Sequence, residues 1–285
     1  MTSIQTDKPA FSASTEKEEQ LVAILRELDS VIVGFSGGVD SSYLAYMANR
    51  ELGRNALCVT AESPSYPSFQ RRETAEFVAR YGLNHLVIQS EELDNFQYRE
   101  NSPSRCYFCK DELFTKLEAL AGERGYRFVL DGTNYDDVGD YRPGRKAAAE
   151  HSVRSPLLEA RMTKLDIREL SRRAGLPTWD KPALPCLSSR FPYGTAISAE
   201  KLSIVDRGEN ILRDFGFKVF RVRYHEELVR LEFAPEELPT ALNMTMAAIL
   251  VKKFKELGFK FVTIDLEGYR SGALNEVLPI YRHSS

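Results

Sequence analysis

Apolar residues along this chain follow two rhythms, and the change from one to the other divides it. In the first part, VIVGF (31–35) is a short continuous apolar run and LCVTA (57–61) another, and HLVIQ (85–89) and RFVLD (127–131) read as a third and a fourth strand. Runs without alternation mark strands buried on both faces. Between them lie stretches that read as helices. Ser41 to Leu52 puts Leu44, Met47 and Ala48 on one side, and Gln70 to Tyr81 and Asp111 to Arg124 follow. Gly53, Gly82 and Gly125 stand where these helices would stop. Ahead of the first strand, Thr15 and Glu18 have capping-box spacing, with Leu21, Ile24, Leu25 and Leu28 at helical intervals behind them. Residues up to about Ala13 read as a loose tail. Strands alternating with helices imply βαβ units, and so a doubly wound parallel sheet of the α/β class.

The rhythm changes after about Thr195. FKVFRVRYH (217–225) and LVRLEF (228–233) alternate as half-exposed strands do, and a helix over 236–257 and a strand FKFVTIDL (259–266) follow. This predicts a smaller α+β domain, a small sheet with helices over one face. The expected organisation is a tail (1–13), an α/β domain (14–195) and a C-terminal α+β domain (196–285). No internal repeat or low-complexity segment interrupts it.

Composition narrows the class without naming a chemistry. A chain of 285 residues with 43% hydrophobic content can bury two modest cores. Its formal net charge of -3 gives no bulk electrostatic case for nucleic-acid or membrane partners. No run approaches the roughly 18 apolar residues of a membrane span. The polar start MTSIQTDKPAFSASTEKEEQ does not read as a secretory signal. Four cysteines are too few for a disulfide scaffold in a chain this long. A cytoplasmic protein is the expectation.

The candidate chemistry begins where the first strand ends. In FSGGVDSS (35–42), Gly37 and Gly38 permit a tight bend whose amides can face an anion, and Ser41 and Ser42 open a helix whose N-terminus favours negative charge. Asp40 would repel phosphate unless it holds Mg²⁺ or orients a loop amide. The loop has no lysine, which excludes a Walker-type site. A plain strand-to-helix turn of small residues is the alternative.

With this context the motif S-G-G-V-D-S, from Ser36 to Ser41, resembles the pyrophosphate loop of the PP-loop ATPases, the adenine nucleotide α-hydrolase-like superfamily. The resemblance implies cleavage of ATP between its α and β phosphates, adenylation of a substrate, and displacement of AMP by a nucleophile. It also implies that Asp131 and Asn134 of DGTN (131–134) lie near the nucleotide, where α/β sheets bind ligands beyond their carboxyl edge. A capped turn is the plainer reading of DGTN.

Further stretches narrow the family. DYRPGRKAAAE (140–150) gathers Arg142, Arg145 and Lys146 around a Pro-Gly turn, a cluster suited to phosphates or carboxylates. CLSSRFPYGT (186–195) joins Cys186, Ser189 and Arg190. RVRYH (221–225) puts Arg221 and Arg223 on one strand face, which is equally the pattern of a solvated surface. With FSGGVDS, DGTNYDD and the closing FVTIDLEGYRSG, these resemble the LarE family of ATP-dependent sulfur transferases from about Leu21 to Arg270.

The resemblance implies a small-molecule nucleotide substrate, pyridinium-3,5-biscarboxylic acid mononucleotide, whose carboxylates are adenylated with ATP and Mg²⁺ and converted to thiocarboxylates on the way to a nickel-pincer nucleotide. Ser189, Arg190, Arg221 and Arg223 carry over as substrate ligands. Arg142 and Lys146 join them from the cationic cluster. Glu209 and Glu232 read more simply as solvated carboxylates than as ligands. A homo-oligomer is implied, a hexamer among the candidate forms. The sulfur source is not indicated.

Family members differ in their sulfur chemistry. Some sacrifice the sulfur of one cysteine ahead of SSRFPYG, whereas others hold a [4Fe–4S] cluster on three cysteines. Cys186 together with Cys106-x-x-Cys109 matches the second kind, with one iron free to carry a sulfide. Zinc on these cysteines with a histidine (His85, His151, His225 or His283), a redox dithiol, and sacrificial Cys186 alone remain open. Cys58 lies within an apolar strand and reads as core. Rival functions are tRNA thiolation, NAD synthetase-like amidation, and a zinc-stabilised nucleotide-binding protein without catalysis.

Overall fold

The computed structural model describes residues 10–139, 143–183, 185–270 and 272–273. The chain forms two compact units. One comprises Met1–Ser63, Gln70–Glu92 and Cys106–Leu184; the other comprises Pro64–Phe69, Leu93–Arg105 and Pro185–Ser285. The passage into the second unit thus comes at Pro185, ahead of the rhythm change at Thr195, and two short earlier segments belong to that unit as well.

The chain enters through α1 (Ala10–Leu28), β1 (Val31–Gly34), α2 (Val39–Leu52) and β2 (Ala56–Glu62). It continues through α3 (Ser68–Tyr81), β3 (His85–Gln89), the short α4 (Phe96–Arg99), α5 (Arg105–Arg124) and β4 (Phe128–Leu130). Then come α6 (Pro143–Glu150), α7 (Pro156–Glu159) and α8 (Lys164–Arg173). The first unit's sheet is parallel, in the order β3-β2-β1-β4. Its central strand explains its own sequence. Val31 and Val33 pack into a core with Leu21, Leu25, Leu44 and Met47, while Ile32 joins Leu57, Phe114, Leu117 and Val129 in another. Both faces are dry, so the run does not alternate.

Two element boundaries differ from the sequence expectation. α1 starts at Ala10, so Thr15 and Glu18 lie inside it rather than at its cap. Instead, Thr15 Oγ1 accepts from Arg173 at 3.2 Å and Glu18 Oε1 accepts from the Tyr43 hydroxyl at 3.0 Å. α5 starts at Arg105 rather than Asp111. Cys106 and Cys109 therefore open a helix, three residues apart and on one side of it.

The second unit adds α9 (Ala199–Asp214), β5 (Phe220–His225), β6 (Leu228–Phe233), α10 (Leu238–Ala241), α11 (Met244–Glu256) and β7 (Phe261–Ile264). Its sheet runs β5-β6-β7, antiparallel in the first pairing and parallel in the second. The single helix expected over 236–257 is two, because Asn243 starts a new one by accepting from Thr245 N at 3.0 Å. Helices approach β5 closely at Gly208, where a Cβ would lie 2.9 Å from the Phe254 ring and 3.2 Å from Val222. β5 is buried on both faces, not half exposed, and its arginines lie inside. No helix among the described residues is long and apolar enough to cross a membrane.

Candidate functional site

In the first unit's sheet the chain steps from β1 to β2 to β3 on one side, and β4 then pairs with β1 on the other. The loops after β1 and β4 flank this switch point, where open α/β sheets bind ligands. They also touch. A Cβ on Gly132 would lie 3.1 Å from Ser41 N and 3.3 Å from Ser41 Cα, so a larger residue would press the β4 loop a few tenths of an ångström away from the start of α2.

The β1 loop is held open by its own serines and by side chains from outside. Gly37 has φ +71°, in the left-handed region that glycine reaches without strain. The hydroxyls of Ser36 and Ser41 are 3.0 Å apart, and Ser36 N donates to Ser41 Oγ at 3.3 Å. Three successive loop carbonyls are each held by a side chain. Phe35 O accepts from Thr60 Oγ1 at 2.8 Å, Ser36 O from Gln70 Nε2 at 2.5 Å, and Gly37 O from Lys181 Nζ at 3.0 Å. Lys181 is anchored in turn by Glu73 at 2.6 Å.

Asp40 pairs through Oδ2 with Lys164, while its Oδ1 is buried without a hydrogen-bond partner. An orphaned carboxylate oxygen beside a phosphate-type loop is the donor Mg²⁺ requires, so the residues present fit that ion. Ser42 is also buried, its hydroxyl unpartnered.

Asp131 and Asn134 shape the β4 loop. Asp131 accepts from Thr133 N at 3.1 Å, Thr133 Oγ1 at 2.7 Å and Ser155 Oγ at 2.7 Å. Asn134 donates its N–H to Asp137 at 3.0 Å and accepts from Asp136 N at 2.9 Å. Arg142 lies outside the described residues. Arg145 donates to the carbonyls of Asp137 and Val138 at 3.2 and 3.1 Å. Lys146 is 73% exposed, 3.7 Å from Glu150 and 5.3 Å above the Tyr107 ring. α6 reaches the start of α5 through Gly144, whose added Cβ would be 3.6 Å from Cys106 O. Beyond α6, His151 lies between Asp111 at 2.9 Å and Glu118 at 2.8 Å. Burial opposes its charge, but these carboxylates outweigh it and raise the imidazole pKa.

In the second unit, Cys186 opens a 3₁₀ turn, Leu187–Arg190. Its carbonyl accepts from Ser189 N at 3.0 Å, Ser189 Oγ at 2.8 Å and Arg190 Nη1 at 3.2 Å. Arg190 also makes a bidentate pair with Glu209 at 2.7 and 3.0 Å, the side chains 1% and 2% exposed. Burial works against the Glu209 carboxylate, yet Arg190 holds its pKa below the usual range. Arg223 repeats the pattern, bidentate to Glu232 at 2.9 and 2.8 Å while donating to Ser189 O at 2.9 Å.

Glu209 and Glu232, expected to be solvated, are instead buried counter-ions, because the strand and helix that carry them face the arginines. Arg221 donates to Phe220 O at 2.6 Å and to the Tyr269 hydroxyl at 3.2 Å. Burial, with Arg190 beside it, pushes its pKa down to about 10.

The cysteines divide by environment. Cys58 is core, and burial pushes its thiol up to about 12. Cys106 is exposed, and Cys109 and Cys186 are half-buried. Within the second unit, Arg105 donates to the carbonyl of Ser188 at 2.7 Å, and the Tyr98 hydroxyl lies 2.6 Å from that of Ser188. Among the described residues no three His, Cys, Asp or Glu side chains are gathered into a metal-holding group.

Residues 18–113 match the NAD synthase family model. An uncharacterised Synechocystis protein is 47% identical over 92% of this chain and 98% of its own length. An uncharacterised Methanocaldococcus jannaschii protein is 32% identical over 85% of this chain and 91% of its own. Pyridinium-3,5-bisthiocarboxylic acid mononucleotide synthase of Lactiplantibacillus plantarum is 36% identical over 92% of this chain and 95% of that one. This chain belongs to the LarE family.

As a LarE-family protein it has polar groups at the phosphate loop that sequence reading missed: Thr60, Gln70, Glu73, Lys164 and Lys181. Lys181 and Gly37 are 144 residues apart in the chain, so no local pattern joins them. For Lys164 a local signal existed. Thr163 and Asp166 form a capping box, with Thr163 N donating to Asp166 Oδ2 at 2.8 Å, and this fixes the start of α8 at Lys164.

Proposed function

We propose that this protein is an ATP-dependent sulfur transferase that adenylates the carboxylates of pyridinium-3,5-biscarboxylic acid mononucleotide and converts them to thiocarboxylates. The similarity to the Lactiplantibacillus synthase along nearly the whole chain carries the reading. The loop at the switch point supports its nucleotide half.

In this reading the loop amides and the α2 N-terminus bind the β and γ phosphates of ATP, and Asp40 would hold a Mg²⁺ that offsets the phosphate charge. A substrate carboxylate oxygen attacks the α-phosphorus, the bond to the bridging oxygen breaks, and pyrophosphate leaves. A sulfur nucleophile then attacks the acyl carbon, AMP departs with the carboxylate oxygen, and the nucleophile's proton is lost to solvent. Adenylation is needed because a bare carboxylate has no adequate leaving group.

Arg221 and Ser189 are the proposed contacts for the substrate's anionic groups, with Arg142 and Lys146 contributing from the cationic segment, while Arg223, expected among the contacts, is instead spent on Glu232 and Ser189 O. Arg190, engaged by Glu209 and by backbone carbonyls, keeps Cys186 and Ser189 in place. Cys106, Cys109 and Cys186 are the proposed ligands of a [4Fe–4S] cluster, which when bound supplies an iron able to carry a transferable sulfide.

The test incubates anaerobically purified protein with Mg·ATP, the biscarboxylate mononucleotide and sulfide. Mass spectrometry should find sulfur in place of carboxylate oxygen, and about four irons per chain should vanish in Cys186→Ala. Unchanged substrate would overturn the transferase. Product from iron-free protein, one sulfur per chain, would replace the cluster with a sacrificial Cys186.

A further inference from the structure

The loop has no lysine of its own, yet two reach it from far along the chain: Lys164 pairs with the Asp40 carboxylate, and Lys181, 144 residues from Gly37, takes a loop carbonyl. Lys181 gives its ammonium to the carbonyl of Gly37 and is otherwise enclosed, its side chain 13% exposed. Its backbone is fixed as well. Arg168 donates to Lys181 O and to Trp179 O, each at 2.8 Å. The cation therefore reaches the loop from an anchored segment rather than from a wandering one.

What it holds is the most pliable peptide in the loop. The unit joining Gly37 to Gly38 is flanked by two residues without side chains, so nothing in its own sterics stops it from flipping. In a planar trans peptide the C=O and the following N–H point in opposite directions. Fixing the carbonyl of Gly37 toward Lys181 turns the N–H of Gly38 the other way. Gln70 does the same one peptide earlier, taking Ser36 O at 2.5 Å and so turning the N–H of Gly37. Gln70 and Glu73 lie three residues apart on α3, on one side of the helix.

We propose that Lys181, anchored by Glu73, is a positioning residue that locks the Gly37–Gly38 peptide so that its amide faces the polyphosphate of ATP. This rests on the nucleotide reading above. A loop that must reorganise before binding loses affinity for the group its amides contact, and that loss falls on the phosphates rather than on the nucleoside.

The test is calorimetric titration of the full chain with Mg·ATP, with magnesium pyrophosphate and with AMP. Lys181→Met should weaken Mg·ATP and pyrophosphate about tenfold, the worth of one charge-assisted hydrogen bond. AMP binding should be unchanged, and Lys181→Arg should restore most of the loss. Glu73→Gln, at a side chain 48% exposed, leaves the fold intact and should produce the same phosphate-selective loss in smaller measure. Pyrophosphate binding unchanged in both variants, or lost in equal proportion with AMP, overturns the positioning role. Wild-type protein that binds neither Mg·ATP nor pyrophosphate overturns the nucleotide reading itself, and the inference with it.

Discussion

The phosphate loop of the first unit and the arginine cluster of the second both suit anions, but they commit their polar groups differently. In the loop, side chains hold carbonyls (Thr60 on Phe35, Gln70 on Ser36, Lys181 on Gly37), and one oxygen of Asp40 is left without a partner. Around Cys186 the charged side chains are themselves the scaffold. Arg190 and Arg223 spend bidentate pairs on Glu209 and Glu232 and use their remaining donors on the backbone of the Cys186 turn. One region keeps its binding groups open by anchoring the backbone. The other keeps the Cys186 turn fixed by burying charge. Mutations should accordingly separate binding from stability.

The largest effect should come from Glu209→Ala, which strands a buried guanidinium. A loss of about 3–5 kcal/mol is expected in denaturant unfolding, because removing one partner leaves an uncompensated charge. Replacing both, Arg190→Met with Glu209→Leu, should recover much of the stability and yet leave sulfur transfer poor. A small loss for the single variant would mean that the pair is not what fixes the turn.

Asp40→Asn should do the reverse. Mg·ATP-dependent pyrophosphate release should fall about a hundredfold, as for disturbed metal sites, with the melting temperature nearly unchanged. Equal damage to stability would erase the contrast between the two regions. A smaller loss, about 1 kcal/mol, is expected for Thr163→Ala, which removes the capping box ahead of Lys164.

The least effect should be at His151, and it should depend on pH. Its pKa is raised by Asp111 and Glu118, so the folded protein holds the proton more tightly than the unfolded chain does. The clamp between α5 and the end of α6 is at full strength below about pH 6.5 and is lost as pH rises through the raised value. The difference in melting temperature between wild type and His151→Gln should shrink as pH rises. A difference that grew with pH would contradict the clamp.

How much the sequence disclosed follows from where each signal lies. Val31 to Phe35 and Phe128 to Leu130 are local apolar runs followed by small or turn-forming residues, so both strands and the loops after them were legible. The capping pattern at Thr15 and Glu18 misled because α1 continues upstream, and its polar groups bond to Arg173 and Tyr43, far along the chain. Glu209 and Glu232 looked solvated because the periodicities of α9 and β6 say which residues share a face, not whether that face is covered. Lys181 and Glu73 could not be read at all, since their meaning arises only when the fold brings distant segments to one glycine.

Adenylation by α–β cleavage of ATP would show as exchange of labelled pyrophosphate into ATP. With the biscarboxylate mononucleotide present and no sulfur donor, the label should enter ATP, and exchange should vanish in Asp40→Asn or when the substrate is omitted. Release of ADP and phosphate with no exchange would place cleavage at the γ-phosphate and contradict the account.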